Sequence, residues 1–162
     1  MRPYVLGDAQ DIQLLAGDIR IAKETMNIRH PYENGMAEKW ISSLDSQWEK
    51  RERAEFAIVL REESNYIGSI SFVSINGDEA EIGYWIGFPY WNNGYCTEAG
   101  KLLVEFGLTE MCLGKITARH LSTNPKSGKV LENLGLIWKE SEYRNNRNGK
   151  SVQFEFYETP DV

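Results

Sequence analysis

One seven-residue segment, Trp91-Asn92-Asn93-Gly94-Tyr95-Cys96-Thr97, concentrates the groups of this 162-residue chain that could do binding chemistry. It stands where one periodicity gives way to another. Before it, Ala80, Ile82, Tyr84, Ile86 and Phe88 alternate as one face of a strand. After it, Ala99, Leu102, Leu103 and Phe106 recur at helical spacing. A buried strand therefore runs through a tight, Gly-containing turn into an amphipathic helix. The first N–H groups of such a helix have no partner within it, and its dipole favours negative charge. A strand–turn–helix of this kind is an anion site, most often for phosphate.

The common nucleotide motifs do not fit this turn. A Walker loop requires G-x-x-x-x-G-K-[ST]. Gly94 and Gly100 are separated by five residues, and Lys101 is followed by Leu102. A dinucleotide fingerprint requires three glycines at fixed spacing after a first strand, and neither Gly83/Gly87 nor Gly94/Gly100 supplies it. A hairpin at Asn93-Gly94 is excluded by the helical period that follows.

The rest of the chain must position this turn. Tyr4 to Leu6 reads as a short strand, and Asp8 as the cap of a helix carrying Ala9, Ile12, Leu15 and Ala16. Ile19 to Ile28 continues as helix until His30-Pro31-Tyr32 breaks it. A further helix starts at Asn34, with Ala37, Trp40, Ile41, Leu44 and Trp48 as its apolar stripe. Strands follow at Glu55–Leu60 and Tyr66–Ile75. Asn76-Gly77 then turns the chain into the Glu79–Phe88 strand, the strongest short hairpin signal available. Beyond the Tyr95–Met111 helix come a strand at Lys115–Leu121, a helix at Asn124–Leu134 closed by Gly135, and two last strands, Trp138–Arg144 and Ser151–Glu158, joined through Asn148-Gly149. The order β-α-α-α-β-β-β-α-β-α-β-β predicts one α/β domain over residues 1–162 with a mixed, mostly antiparallel sheet and one parallel β-α-β crossover.

Composition narrows the function. A formal net charge of −6 argues against a nucleic-acid partner, because phosphate contacts need a basic surface. Two cysteines, Cys96 and Cys112, do not make a disulfide framework and read as reduced thiols of a cytoplasmic protein. The N-terminal residues lack an apolar signal core, and no apolar run approaches the roughly 20 residues of a membrane helix. No metal site and no membrane partner are expected.

The central motif, Gly83-Tyr84-Trp85-Ile86-Gly87 with Tyr90-Trp91-Asn92-Asn93-Gly94-Tyr95-Cys96-Thr97-Glu98-Ala99, resembles the acetyl-CoA motif of the GNAT N-acetyltransferase superfamily. A second motif agrees: Asn124-Pro125-Lys126-Ser127 followed by Val130-Leu131-Glu132-Asn133-Leu134-Gly135-Leu136 is similar to the pattern of the branch containing the ribosomal-protein N-terminal acetyltransferases. Arg2-Pro3, Asp8-Ala9, Pro31-Tyr32, Trp40-Ile41 and Asn148-Gly149 match it too, so the resemblance spans nearly the whole chain. It implies a sheet splayed at its centre with flanking helices, and acetyl-CoA as cosubstrate. The pyrophosphate would lie on the N–H groups of Asn92, Asn93, Gly94, Tyr95, Cys96 and Thr97. Pantetheine would run beside Tyr84, Trp85, Ile86 and Gly87 like an added strand. An N–H at or next to Ile86 would polarise the thioester carbonyl. Asn124 and Ser127 would face the sulfur end. The family usually has Ala or Gly at Cys96 and Gly at Asn92; Cys96 is small enough to fit and is given only a packing role.

The implied reaction is direct attack of an amine on the thioester in a ternary complex. Many relatives use a Tyr at the position of Leu131 as the acid for the leaving thiolate, so Ser127 is the expected substitute. Glu81 is the expected base, ahead of Glu79, Glu142 and His120; Asn145 stands where the ribosomal enzymes carry a Glu. Tyr32 and Tyr90 are expected on the acceptor side. A free α-amine, with pKa near 7.7–8.0, needs less help to deprotonate than a lysine amine near 10.4. The expected acceptor is therefore a protein N-terminal amine. The alternatives are a small amine such as a polyamine or an aminoglycoside, or a CoA-binding sensor without turnover. A homodimer stays open beside the monomer.

Overall fold

The computed structural model describes residues 1–146 and 148–160. Helices α1 (Ala9–Ala16), α2 (Ile19–Glu24) and α3 (Met36–Glu49) come first, followed by strands β1 (Ala54–Val59), β2 (Tyr66–Asn76) and β3 (Glu79–Ile86). Helix α4 (Tyr95–Thr109), strand β4 (Lys115–Leu121), helix α5 (Pro125–Asn133) and strands β5 (Ile137–Asn145) and β6 (Ser151–Glu158) complete the order. The strands form one six-stranded sheet, β1-β2-β3-β4-β6-β5. Every neighbouring pair is antiparallel except β3–β4, which α4 joins as a parallel crossover.

The sheet is covered on both faces. On one side Ile70, Phe72, Ile82, Leu103, Ile116 and Leu131 join the sheet to α4 and α5 in the larger core. On the other, Ile12, Ala16 and Ala37 bring α1 and α3 onto Ala57 and Tyr66. The helical and strand periods read from the sequence correspond to burial at most positions, but Leu102 and Phe88 are exposed, and the α3 stripe is buried only at its start. Ala37 is 1% exposed, and Trp48 is 49% exposed.

The N-terminal segment differs from expectation. Tyr4 to Leu6 is not a strand: a single bridge joins Arg2 to Ala57, and Leu6–Asp8 is a 3-10 turn. The cause is Asp8, whose carboxylate accepts from the Arg2 guanidinium at 2.6 and 2.8 Å and from the Val5 N–H at 3.0 Å. Those bonds curl the segment and leave no Asp8 side-chain cap for α1. Helix α2 also stops at Glu24, short of Ile28, and α3 begins after a left-handed Gly35 (φ 82°) rather than at Asn34.

The feature that matters for function is where β3 and β4 part. They pair only from Glu79/Lys115 to Ile82/Ala118. Beyond that rung β4 stays with β6, pairing out to Leu121 with Phe154, while β3 stays with β2 out to Gly68 with Ile86. Residues 83–86 therefore present an unpaired strand edge to a gap in the sheet. No helix among the described residues is long and apolar enough to cross a membrane, and no group of three or more His, Cys, Asp or Glu among them could hold a metal ion.

Candidate active site

The gap opens into a cavity of about 730 Å³. Strand alternation decides which backbone groups face it. The Gly87 N–H donates to Ile67 on β2, so its odd-numbered strand neighbours also point toward β2. The N–H and C=O of Tyr84 and Ile86 point the other way. The Ile86 carbonyl confirms this direction, since it accepts from Trp91 Nε1 at 2.6 Å. The Tyr84 and Ile86 N–H groups are thus the backbone donors that an extended ligand lying in the gap would meet.

The turn that ends the cavity is built for an anion. Asn92 (φ 63°) and Gly94 (φ 80°) both take left-handed conformations, which Asn tolerates and Gly adopts without strain. Asn93 Nδ2 ties the turn to the Tyr90 and Trp91 carbonyl oxygens at 3.1 and 3.0 Å. Gly94 is the N-cap of α4 and supplies no side-chain cap, so the first N–H groups of the helix are left for a ligand. The turn itself, Trp91 to Thr97, contains no Lys or Arg. The cation comes from across the cleft: Lys126 Nζ donates to Asn92 Oδ1 at 3.1 Å.

Helix α5 forms the opposite wall. Asn124 caps it, its side chain accepting from the Ser127 N–H at 3.3 Å. The Tyr84 hydroxyl reaches across the gap from β3, 2.8 Å from Ser127 Oγ and 2.9 Å from the Ser127 carbonyl oxygen. Burial raises the Tyr84 phenol well above its ordinary value, against the opposing hydrogen bond from Ser127. Leu131 lies one helical turn on from Ser127, fully in the core. Cys96 keeps some exposed surface, yet its thiol is enclosed, and burial pushes it up to about 12. That disfavours a thiolate and fits a packing role.

Most residues expected to bind cofactor line this one cavity: Tyr84, Trp85, Ile86, Asn92, Asn93, Gly94, Tyr95, Cys96, Thr97, Asn124 and Ser127, with Tyr90 beside them. Three expected residues do not. Gly87 packs against Leu15 of α1, where an added Cβ would stand 2.8 Å from Leu15 Cδ2. Tyr32 is half-buried in the second core with Tyr4 and Trp40, away from the cavity wall. Glu81 points to the face of β3 opposite Tyr84, and its carboxylate pairs with Arg119 at 3.1 Å. The weaker base candidates fare no better. Glu142 is held by Arg144 at 2.5 Å, and His120 is buried behind α5, with Nδ1 2.8 Å from the Leu121 carbonyl oxygen. Lys126 and Glu24 are charged wall residues that were not among the expected site residues. Lys126 sits inside the Asn-Pro-Lys-Ser motif, where its lack of a counterpart in the turn was the available signal. Glu24, at the end of α2, carried none.

A mixed sheet forked at its centre, a cavity entering the fork and an anion-binding turn at its end define a class: a protein with a cleft for an extended ligand that carries an anionic end. Residues 1–137 match the acetyltransferase (GNAT) domain family, and the chain belongs to that family. It is an acyltransferase, an N-acetyltransferase that uses acetyl-CoA. An uncharacterized N-acetyltransferase, p20, from Bacillus licheniformis is 28% identical over 159 residues, covering 97% of this chain and 88% of its own. Among solved structures, the ribosomal alpha-N-protein acetyltransferase RimL in complex with coenzyme A superposes with a TM-score of 0.88 at 13% identity, covering 99% of this chain and 92% of its own. A mutant spermidine N-acetyltransferase from Vibrio cholerae superposes with a TM-score of 0.76 at 17% identity, covering 98% and 92%. At such identities these two structures show the shared fold.

Proposed function

We propose that the chain transfers the acetyl group of acetyl-CoA to a protein N-terminal α-amine, both substrates being bound together in the cleft. The observation that carries the reading is the fork after Ile82. It leaves the Tyr84 and Ile86 N–H groups facing the cavity, with Ser127 on the wall opposite. In this reading those N–H groups hold the pantetheine arm and polarise the thioester oxygen. The Asn92–Thr97 turn and Lys126 hold the pyrophosphate. The amine nitrogen attacks the carbonyl carbon, the C–N bond forms and the C–S bond breaks; the nitrogen sheds its extra proton to water, and Ser127 passes a proton to the departing thiolate and is reprotonated by water.

The acceptor follows from what the cleft lacks. Glu81, Glu142 and His120 all lie off the cavity wall, so none of these expected bases stands beside the thioester. Deprotonating a lysine amine at neutral pH costs roughly 3 kcal/mol more than deprotonating an α-amine. A site that lacks those bases suits the α-amine. Among the structural relatives, one acts on a ribosomal protein's α-amine and another on spermidine, so both acceptor types belong in one experiment. CoA release would be followed with a thiol reagent over a panel of peptide amides with free N-termini, spermidine and an aminoglycoside. Turnover with the peptides at the highest kcat/KM supports the reading. Turnover with spermidine or the aminoglycoside alone overturns it in favour of a small-amine enzyme.

A further inference from the structure

We infer that Glu24 holds a cationic group of the acceptor: an ammonium entering the cleft donates to the Glu24 carboxylate. The inference rests on the reading that an amine meets acetyl-CoA in this cleft, and it names the residue that recruits the amine.

Glu24 is the last residue of α2 and lines the same cavity as Tyr84 and Ser127. Its Oε2 is shielded from solvent and has no hydrogen-bond partner among the described residues. An unpartnered carboxylate oxygen taken out of water is costly. Its place adds to that cost, because the C-terminal end of a helix disfavours negative charge. The fold gains nothing visible from it. The Arg2, Arg53 and Arg119 guanidiniums are paired with Asp8, Glu55 and Glu81. On the cavity wall itself the cations are Lys126, bonded to Asn92, and Lys129, paired with Glu132 at 3.0 Å. Glu24 is thus an acidic residue of the cavity wall with no hydrogen-bond partner for its buried carboxylate oxygen among the described residues.

The cleft divides by charge accordingly. The wall with Lys126 and the free N–H groups of α4 suits the anionic end of the donor. The wall with Glu24 suits a positively charged acceptor. An arriving ammonium would give the Glu24 carboxylate a charge-assisted hydrogen bond. The competing occupant is the donor itself, whose pantetheine amides also carry N–H groups. The two make opposite kinetic predictions.

The test is Glu24→Gln, which keeps the shape and removes the charge, with Glu24→Asp as the conservative variant. CoA release would be measured with seryl- and alanyl-peptide amides and with spermidine, and CoA affinity by calorimetry on the same preparations. The expected result is a tenfold or greater rise in acceptor KM for Glu24→Gln, a partial recovery for Glu24→Asp, and an acetyl-CoA KM and a CoA Kd within twofold of the parent. An unchanged acceptor KM overturns the inference. So does a rise in acetyl-CoA KM that matches the rise for the acceptor, which would put the carboxylate on pantetheine. A parent protein that binds CoA yet releases none with these amines would overturn the transfer reading beneath it, a failure that the Glu24 variants alone would not produce.

Discussion

The Tyr84 hydroxyl, on β3, lies 2.8 Å from Ser127 Oγ, on α5, and spans the fork of the sheet to do so. This contact joins the two walls of the cleft at the level where β3 loses β4 as a neighbour. It also orients the serine hydroxyl. Tyr84 has one proton to donate, either to the Ser127 carbonyl oxygen or to Oγ. When Oγ takes it, the serine keeps its own proton for another acceptor; when the carbonyl takes it, the serine donates to the tyrosine oxygen.

Ser127→Ala tests that proton directly. If Ser127 protonates the thiolate, kcat falls about a hundredfold, within the usual range for loss of a general acid. The CoA Kd should stay within about threefold of the parent, because the phosphate turn is untouched. Tyr84→Phe keeps the ring and loses only the orienting hydroxyl, so its kcat loss should be smaller than that of Ser127→Ala. Steady-state kinetics on the two variants decide the point. Unchanged turnover in Ser127→Ala removes Ser127 from the mechanism, and a larger loss in Tyr84→Phe transfers the role to the tyrosine.

Lys126 is the cation nearest the turn, and Lys126→Ala should weaken CoA binding about threefold to tenfold, since an exposed charge on a phosphate is screened by water. The loss should shrink as ionic strength rises. Lys126→Arg should restore most of the affinity, because either side chain can reach a phosphate oxygen. Calorimetric titration of CoA at low and at high salt makes the measurement. An affinity that is indifferent to Lys126 would leave the pyrophosphate to the backbone alone.

Gly68 shows how closely β2 must approach β3 behind the cleft. A Cβ placed there would stand 2.3 Å from the Trp85 carbonyl oxygen and 2.9 Å from Ile86 Cα. Both are backbone atoms of the strand that faces the ligand, so they cannot swing aside as a side chain could. Gly68→Ala should cost about 1–3 kcal/mol or more in stability, in the range of overpacked cores. It should also weaken CoA binding by displacing residues 85 and 86. Chemical denaturation together with CoA titration tests both halves, and a stable variant with parental affinity would contradict this account.

The parts of the fold governed by local pattern were legible in the sequence. Alternation gave β2, β3, β4 and β6 nearly to the residue, Asn76-Gly77 gave their hairpin, and the Asn92–Thr97 turn was found from its place between two periods. The fork was not written in any period; it reached the sequence reading only through family resemblance. It depends on which partner each strand keeps, a long-range choice. The errors share that origin. Tyr4 to Leu6 alternates like a strand, but the Arg2–Asp8 pair bends it. Glu81 sits on the right strand, but Arg119, distant in sequence, claims its carboxylate. Glu24 shows the converse, because nothing local marks a carboxylate as partnerless. That becomes visible only when the packing around it is known.

The Arg2–Asp8 pair offers a final test, linking pH to the shape of the cleft. Burial opposes the charge on Asp8, but the hydrogen bond from Arg2, the Val5 N–H and the Arg2 charge together outweigh it, and the carboxyl is held below 3.8. A carboxyl lowered by folding adds stability that is fully present above its unfolded value and is lost as pH falls through its folded value. The contribution should therefore be intact at pH 7 and fade only below about pH 4. Asp8→Asn keeps the shape and removes the charge. It should cost about 1–2 kcal/mol at pH 7, a figure held down by the partly exposed Arg2 guanidinium. Melting temperatures of parent and variant should converge as the pH is lowered through the folded value of Asp8, and a gap that stays constant with pH would show that the charge contributes nothing. The pair fixes the turn that leads into α1, and Leu15 of α1 packs on Gly87 at the end of the ligand-facing strand. Asp8→Asn should accordingly weaken CoA binding at pH 7 as well, although Asp8 does not line the cleft.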